Sequence, residues 1–148
     1  MSLADMERDG KLKKHTPSKV EVNRLLMAIQ RRLEDAKNPS SHNETRFEQA
    51  YEAILLCSKV ALLVSGYRMR QREGYHYESI NSLHFTLQVA PEVIEYYQVL
   101  RQKRHKGLYE GLINVRDSEL IEATIAAEEL RDKVTLWLKT NHPHVIGE

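Results

Sequence analysis

The chain predicts an all-α fold, an antiparallel bundle of about five helices, and three observations predict it. Apolar residues recur at three- and four-residue spacing over long stretches. Those stretches open at residues suited to capping and close at glycine or proline. No segment sustains period-two alternation with turn chemistry at its ends, so no sheet is expected. With 148 residues, the chain is long enough to close one hydrophobic core. The expected organisation is a flexible N-terminal arm over 1–15, one helical-bundle domain over 16–140 and a tail over 141–148.

The arm is read as aperiodic and solvated, with a basic end at Lys11, Lys13, Lys14 and His15. Thr16-Pro17 then offers a hydroxyl cap and a proline for the first helical position. Val22, Leu25, Leu26, Ile29 and Leu33 form one stripe of the first predicted helix, with Arg24, Arg31 and Arg32 opposite, and Asn38-Pro39 ends it. Ser41-His42-Asn43-Glu44 has capping-box spacing and opens the second. That helix is apolar on two faces, one through Phe47, Tyr51 and Ile54 and another through Leu56, Val60 and Leu63, which predicts a central position. Gly66 reads as a close-packed or kinked interior residue. The helix is expected to turn cationic at Arg68, Arg70 and Arg72 before stopping at Gly74.

A third, short helix is predicted from about Tyr77 to Val89, on Ile80, Leu83, His84 and Leu87. Pro91 opens the fourth, which buries Val93, Ile94, Tyr96, Tyr97 and Leu100 before its cationic end, with Gly107 and Gly111 marking its stop and a turn. Asp117-Ser118 caps the fifth, whose buried stripe is expected to run through Leu120, Ile121, Thr124, Ala127, Leu130, Val134, Trp137 and Leu138 and whose outer N-terminal face is acidic. Helices two and five are expected at the centre of the bundle.

A charged fraction of 29% and a net charge of +1 give no global field toward nucleic acid or membrane, so recognition must come from local clusters. The single Cys57 lies in an apolar helical pattern and reads as a buried, inert thiol. No apolar run approaches the ~20 residues that span a bilayer, and the polar N-terminus has no signal-peptide core, so a cytoplasmic location is expected. Phosphate-cradling glycine signatures are absent. Glu73-Gly74-Tyr75-His76 matches one half of a di-iron motif but has no second copy, and His142-x-His144 has no third ligand nearby. No metal and no cofactor are expected.

Two cationic clusters remain: Arg68/Arg70/Arg72, and Arg101/Lys103/Arg104/Lys106 within Leu100–Gly111. Tyr67, Tyr75, Tyr77 and Tyr109 accompany them. Guanidinium groups hold phosphate through paired hydrogen bonds and phenol rings stack on unpaired bases, a combination suited to single-stranded RNA or a nucleotide. The alternative is that these cations only satisfy helix C-termini. Arg101 and His105 are four apart and share a helical face, so a histidine acid–base and an arginine charge stabiliser there would suit metal-independent RNA cleavage.

Arg46-Phe47-x-x-Ala50-Tyr51, Gly66-Tyr67-Arg68, His76-Tyr77-x-x-Ile80 and above all Arg104-His105-x-x-x-Tyr109 occur in this order. Together they resemble the HEPN superfamily, small helical bundles found as nucleotidyltransferase partners, ribonucleases and toxins. The family's ribonuclease signature is an arginine, a polar residue and, after four to six intervening positions, a histidine. Counted from Arg104, that histidine position holds Tyr109; counted from Arg101, His105 arrives one position early. A phenol, with an ordinary pKa near ~10, is a poor base at neutral pH.

The resemblance therefore implies a HEPN-like protein that binds RNA or nucleotide phosphate with weak or no catalysis, as a homodimer and as a nucleotidyltransferase or toxin–antitoxin partner. Arg101, Arg104, Tyr109, Lys103, Lys106, Arg68 and Arg72 are the expected phosphate-binding residues, and His105 with Arg104 the expected catalytic ones. Two alternatives stand beside it. One is a toxin-like ribonuclease using His105 with Arg101 or Arg104; the other is an interaction module whose basic rim docks an acidic protein.

Overall fold

The most apolar helical run in the chain has two faces to bury, and the other elements assemble on it. The computed structural model describes residues 1–146. In order these form α1 (Leu3–Arg8), β1 (Leu12–Lys14), α2 (Lys19–Ala36), α3 (Asn43–Val64), β2 (Tyr67–Met69), α4 (Tyr75–Asn81), α5 (Leu83–Thr86), α6 (Pro91–Glu110), α7 (Asp117–Asn141) and a 3₁₀ turn, Pro143–Val145. The protein is an all-α helical bundle with one very small sheet.

Helix α3 is the axis: α2, α4, α5, α6, α7 and β2 all pack on it. Both of its predicted stripes contribute to the core, with Phe47, Tyr51, Ile54 and Val60 essentially inaccessible to water. Ala50, Ala53 and Ala61 are also sealed, and their small side chains allow neighbouring helices to approach closely. Helix α7 buries Leu120, Leu130 and Val134 and packs on α3 and α2 but keeps a solvent face, so α3 alone is central; Ile121 on α7 and Val93 on α6, both expected in buried faces, are exposed. The buried serines are satisfied locally. The Ser58 hydroxyl donates to the Leu55 carbonyl and meets the Ser79 hydroxyl at 2.6 Å, which pins α4 to α3. The Arg46 Nε donates to the Ala36 carbonyl at 2.8 Å, closing the C-terminus of α2 with a cation.

The first fifteen residues are not a loose arm. Leu12, Lys13 and Lys14 pair antiparallel with Met69, Arg68 and Tyr67, so the expectation of no sheet is also overturned. The reason is a second, smaller apolar cluster in which Met6, Leu12 and Leu62 are buried, with Tyr67, Met69 and Phe85 packed against it. Three-residue strands show no readable period, and their partners lie more than fifty positions apart in the chain. The tail likewise docks as far as Val145, which is buried; Gly147 and Glu148 lie outside the described residues.

Several element boundaries shift. Ser18, not Thr16, caps α2: its hydroxyl accepts from the Glu21 N–H while the Glu21 carboxylate accepts from the Ser18 N–H. His42 stands at the N-cap of α3 without a side-chain capping bond. Helix α3 ends at Val64 because Gly66 adopts φ +95°, a left-handed conformation that terminates helices. Gly66 is therefore a helix stop, and Arg68, Arg70 and Arg72 lie on β2 and the loop after it. The third predicted helix is split into α4 and α5. Helix α6 runs through Gly107 to Glu110; a Cβ at position 107 would approach the Ile113 Cγ2 to 2.9 Å, so the glycine lets the chain fold back onto the helix.

Candidate functional site

Helix α6 brings its cations to the bundle surface, but each main one meets a partner from its own chain. Arg104 reaches Glu52 on α3 at 3.1 Å, lies 5.7 Å over the Tyr51 ring, and has its Nε buried without a hydrogen-bond partner among the described residues. Lys103 bonds Glu119 of α7 at 2.8 Å. That lysine and the backbone N–H of Arg116 hold the Glu119 carboxyl down to about 2. Arg101 donates from Nε to the Gln98 side-chain carbonyl at 2.7 Å and sits 5.4 Å over the Tyr77 ring. Gln98 in turn donates to the Tyr77 carbonyl and to Asn81, latching α4 to α6. The cavity beside Arg104 is small, about 210 Å³, and also presents Glu44 and Glu48, which repel phosphate.

His105 follows Arg104 by one position, and neighbouring helical residues do not share a face. Its imidazole is exposed and packs edge-on to Tyr109 at 4.8 Å; Tyr109 is 81% exposed and holds no pocket. The two residues expected to act together, Arg104 and His105, are thus not brought into one site. Lys106 lies on the exposed side, 4.0 Å from Glu110.

A different place gathers cations without pairing them. The hairpin β1–β2, α2 and α3 enclose a groove of about 560 Å³ whose wall includes Lys13, Arg24, Lys59 and Arg68. Lys13 and Arg68 stand directly opposite each other in the ladder, a like-charge arrangement that costs roughly 0.2–1 kcal/mol. None of these four cations forms a salt bridge among the described residues. Among the described residues the one carboxylate in the wall is Glu21, engaged by His15 at 2.7 Å and by the Ser18 N–H, and the His15 contact lowers its pKa. Leu25, Leu62, Leu63 and Tyr75 supply an apolar side, so the groove has the mixed lining of a small-molecule site. Arg72 does not line it, although Gln71 does.

The two cationic regions are joined through α4. Tyr75 lines the groove, and His76 beside it meets the Tyr51 hydroxyl at 3.0 Å. Burial first, then the charges of Arg104, Lys59 and Arg101, lower the His76 pKa to about 4, so its imidazole is neutral at pH 7. Burial also raises the Tyr51 phenol and pushes the Cys57 thiol up to about 12, which leaves neither as a nucleophile. Among the described residues no group of three or more His, Cys, Asp or Glu side chains is placed to hold a metal ion, and no helix is long and apolar enough to cross a membrane.

No protein-family model, curated protein or solved structure matches this chain. The HEPN resemblance thus stands on the quoted residues alone. Of those, Phe47, Ala50, Tyr51 and Ile80 are core, Arg46 caps a helix, and Arg68 lines the groove. Arg24 and Lys59 were not legible as site residues, because each is a single cation on an otherwise ordinary amphipathic helix. Lys13 carried one weak signal, the basic end of the N-terminal segment.

Proposed function

We propose that this protein binds a phosphate-bearing ligand, a nucleotide or the backbone of single-stranded RNA, in the groove between the β1–β2 hairpin, α2 and α3. The observation that carries this reading is the set of four cations, Lys13, Arg24, Lys59 and Arg68, around one cavity whose wall carboxylate, Glu21, is already engaged. Uncompensated like charge costs stability, and a polyanion would relieve it. Tyr75 offers a ring for base stacking at one side. Arg101 and Arg104 add positive charge around His76, but each already meets a partner within the chain, Gln98 and Glu52, and neither lines the groove. The HEPN-like order of motifs agrees with an RNA or nucleotide ligand.

The test is fluorescence anisotropy of a labelled single-stranded RNA against salt. Neutralising three to four phosphates predicts a slope of about −2 to −3 in log Kobs against log[salt]. Arg68→Glu should abolish most of the binding, and competition by ATP would place a nucleotide in the same groove. Affinity that ignores both salt and Arg68→Glu removes the proposal.

A further inference from the structure

A second groove, sharing no residue with the first, runs between α6 and α7. Both helices pack on α3 and meet each other only sparsely. Lys103 faces Glu119 while Tyr96 faces Glu122, so the two run in opposite directions and leave a trough between them. The trough measures about 630 Å³. Its apolar wall is Val93, Tyr96, Ile121 and Ile125; the last two are 59% and 50% exposed and sit one helical turn apart on one face. Such a stripe on α7 has no partner among the described residues, whereas the opposite stripe of the same helix is sealed in the core.

The rim is as one-sided as the hairpin groove, with the opposite sign. Glu92, Glu122 and Glu129 border it, and among the described residues no cation lines it. Burial and the Glu122 carboxylate push the Tyr96 phenol up to about 12, so the wall keeps a neutral hydroxyl facing the acids. A second copy seated symmetrically on this face would set three carboxylates against three, a like-charge juxtaposition that interfaces avoid. An occupant must bring apolar side chains for the trough and positive charge for the rim. A trough between two antiparallel helices accepts a third helix by ridge-into-groove packing.

We infer that the α6–α7 trough is the docking site for an amphipathic helix of a partner protein, with Leu- or Ile-type residues on one face and Lys or Arg flanking them. Attraction to the acidic rim sets orientation and selects against acidic helices, and burial of Val93, Ile121 and Ile125 supplies the affinity.

The experiment uses the full chain and two labelled helical peptides that share one leucine stripe, one with lysines flanking it and the other with glutamates at those positions. The lysine peptide should bind at least about tenfold tighter than the glutamate peptide. Ile125→Asp should weaken it by about tenfold or more, and Glu122→Lys with Glu129→Lys should invert the preference. These positions are exposed, so thermal melts by circular dichroism should match wild type, and RNA binding at the hairpin groove should persist. If Ile125→Asp misfolds, the charge-reversed pair still decides. Equal affinity for both peptides, no binding of either, or indifference to the charge reversal overturns the inference. So does sedimentation showing a wild-type dimer that Ile125→Asp dissociates, since the occupant would then be a second copy.

Discussion

The cationic end of α6 and the hairpin groove are made of the same residue types and are left in opposite electrostatic states. On α6, Lys103 and Arg104 meet Glu119 and Glu52, and Arg101 is held by Gln98 and Tyr77. In the groove, Lys13 and Arg68 oppose each other across a ladder with no anion between them. A dense run of cations therefore marks charge that the fold must place, and carboxylates from other elements decide whether it remains for a ligand. The denser cluster is spent on architecture. The sparser one, assembled from four elements, is free.

On α6, losing the Arg104–Glu52 pair should cost the fold more than any change in the groove. Arg104→Ala strands Glu52 in a largely covered site and removes packing from Tyr51, at a cost of about 2–4 kcal/mol in chemical denaturation. Its RNA affinity should stay within about twofold of wild type. A folded Arg104→Ala protein that no longer binds RNA would move the site back to α6.

Next is a pH effect at the junction of the two regions. His76 has a folded pKa near 4 against an ordinary 6.5, so the unfolded chain takes up its proton first. Stability is full above pH 6.5 and falls as pH drops from there to about 4, by roughly 1–3 kcal/mol for this partly covered group. His76→Gln should flatten that part of the profile in thermal melts at stepped pH.

In the groove, Arg68→Ala should weaken RNA about five- to tenfold while leaving the melting temperature unchanged or slightly raised, because the Lys13 repulsion goes with it. A clear loss of stability would instead show that Arg68 is structural.

The smallest effect concerns Glu119, whose pKa is lowered by Lys103. Its contribution is present above pH ~4.5 and is lost as pH falls toward 2. Glu119→Gln should make acid unfolding slightly less steep, by under about 1 kcal/mol, since the pair is partly exposed.

The four long helices and most of their buried faces follow from the sequence alone. Three- and four-residue spacing is a local property, and the stripes on α2 and α3 pack where that spacing puts them, as does the α7 stripe apart from Ile121, which faces solvent. Pro91 opens α6 for an equally local reason, a proline being compatible with the first helical turn. The centrality of α3 was legible for the same cause, since a helix with two apolar faces needs neighbours on both sides. Only the tertiary structure decided that Leu12 joins Leu62, that Lys13 faces Arg68, and that Glu52 neutralises Arg104. Each of these joins residues far apart in the chain. A side chain's type says what it can bind, but charge compensation depends on distance in space, and distance is set only when the core closes.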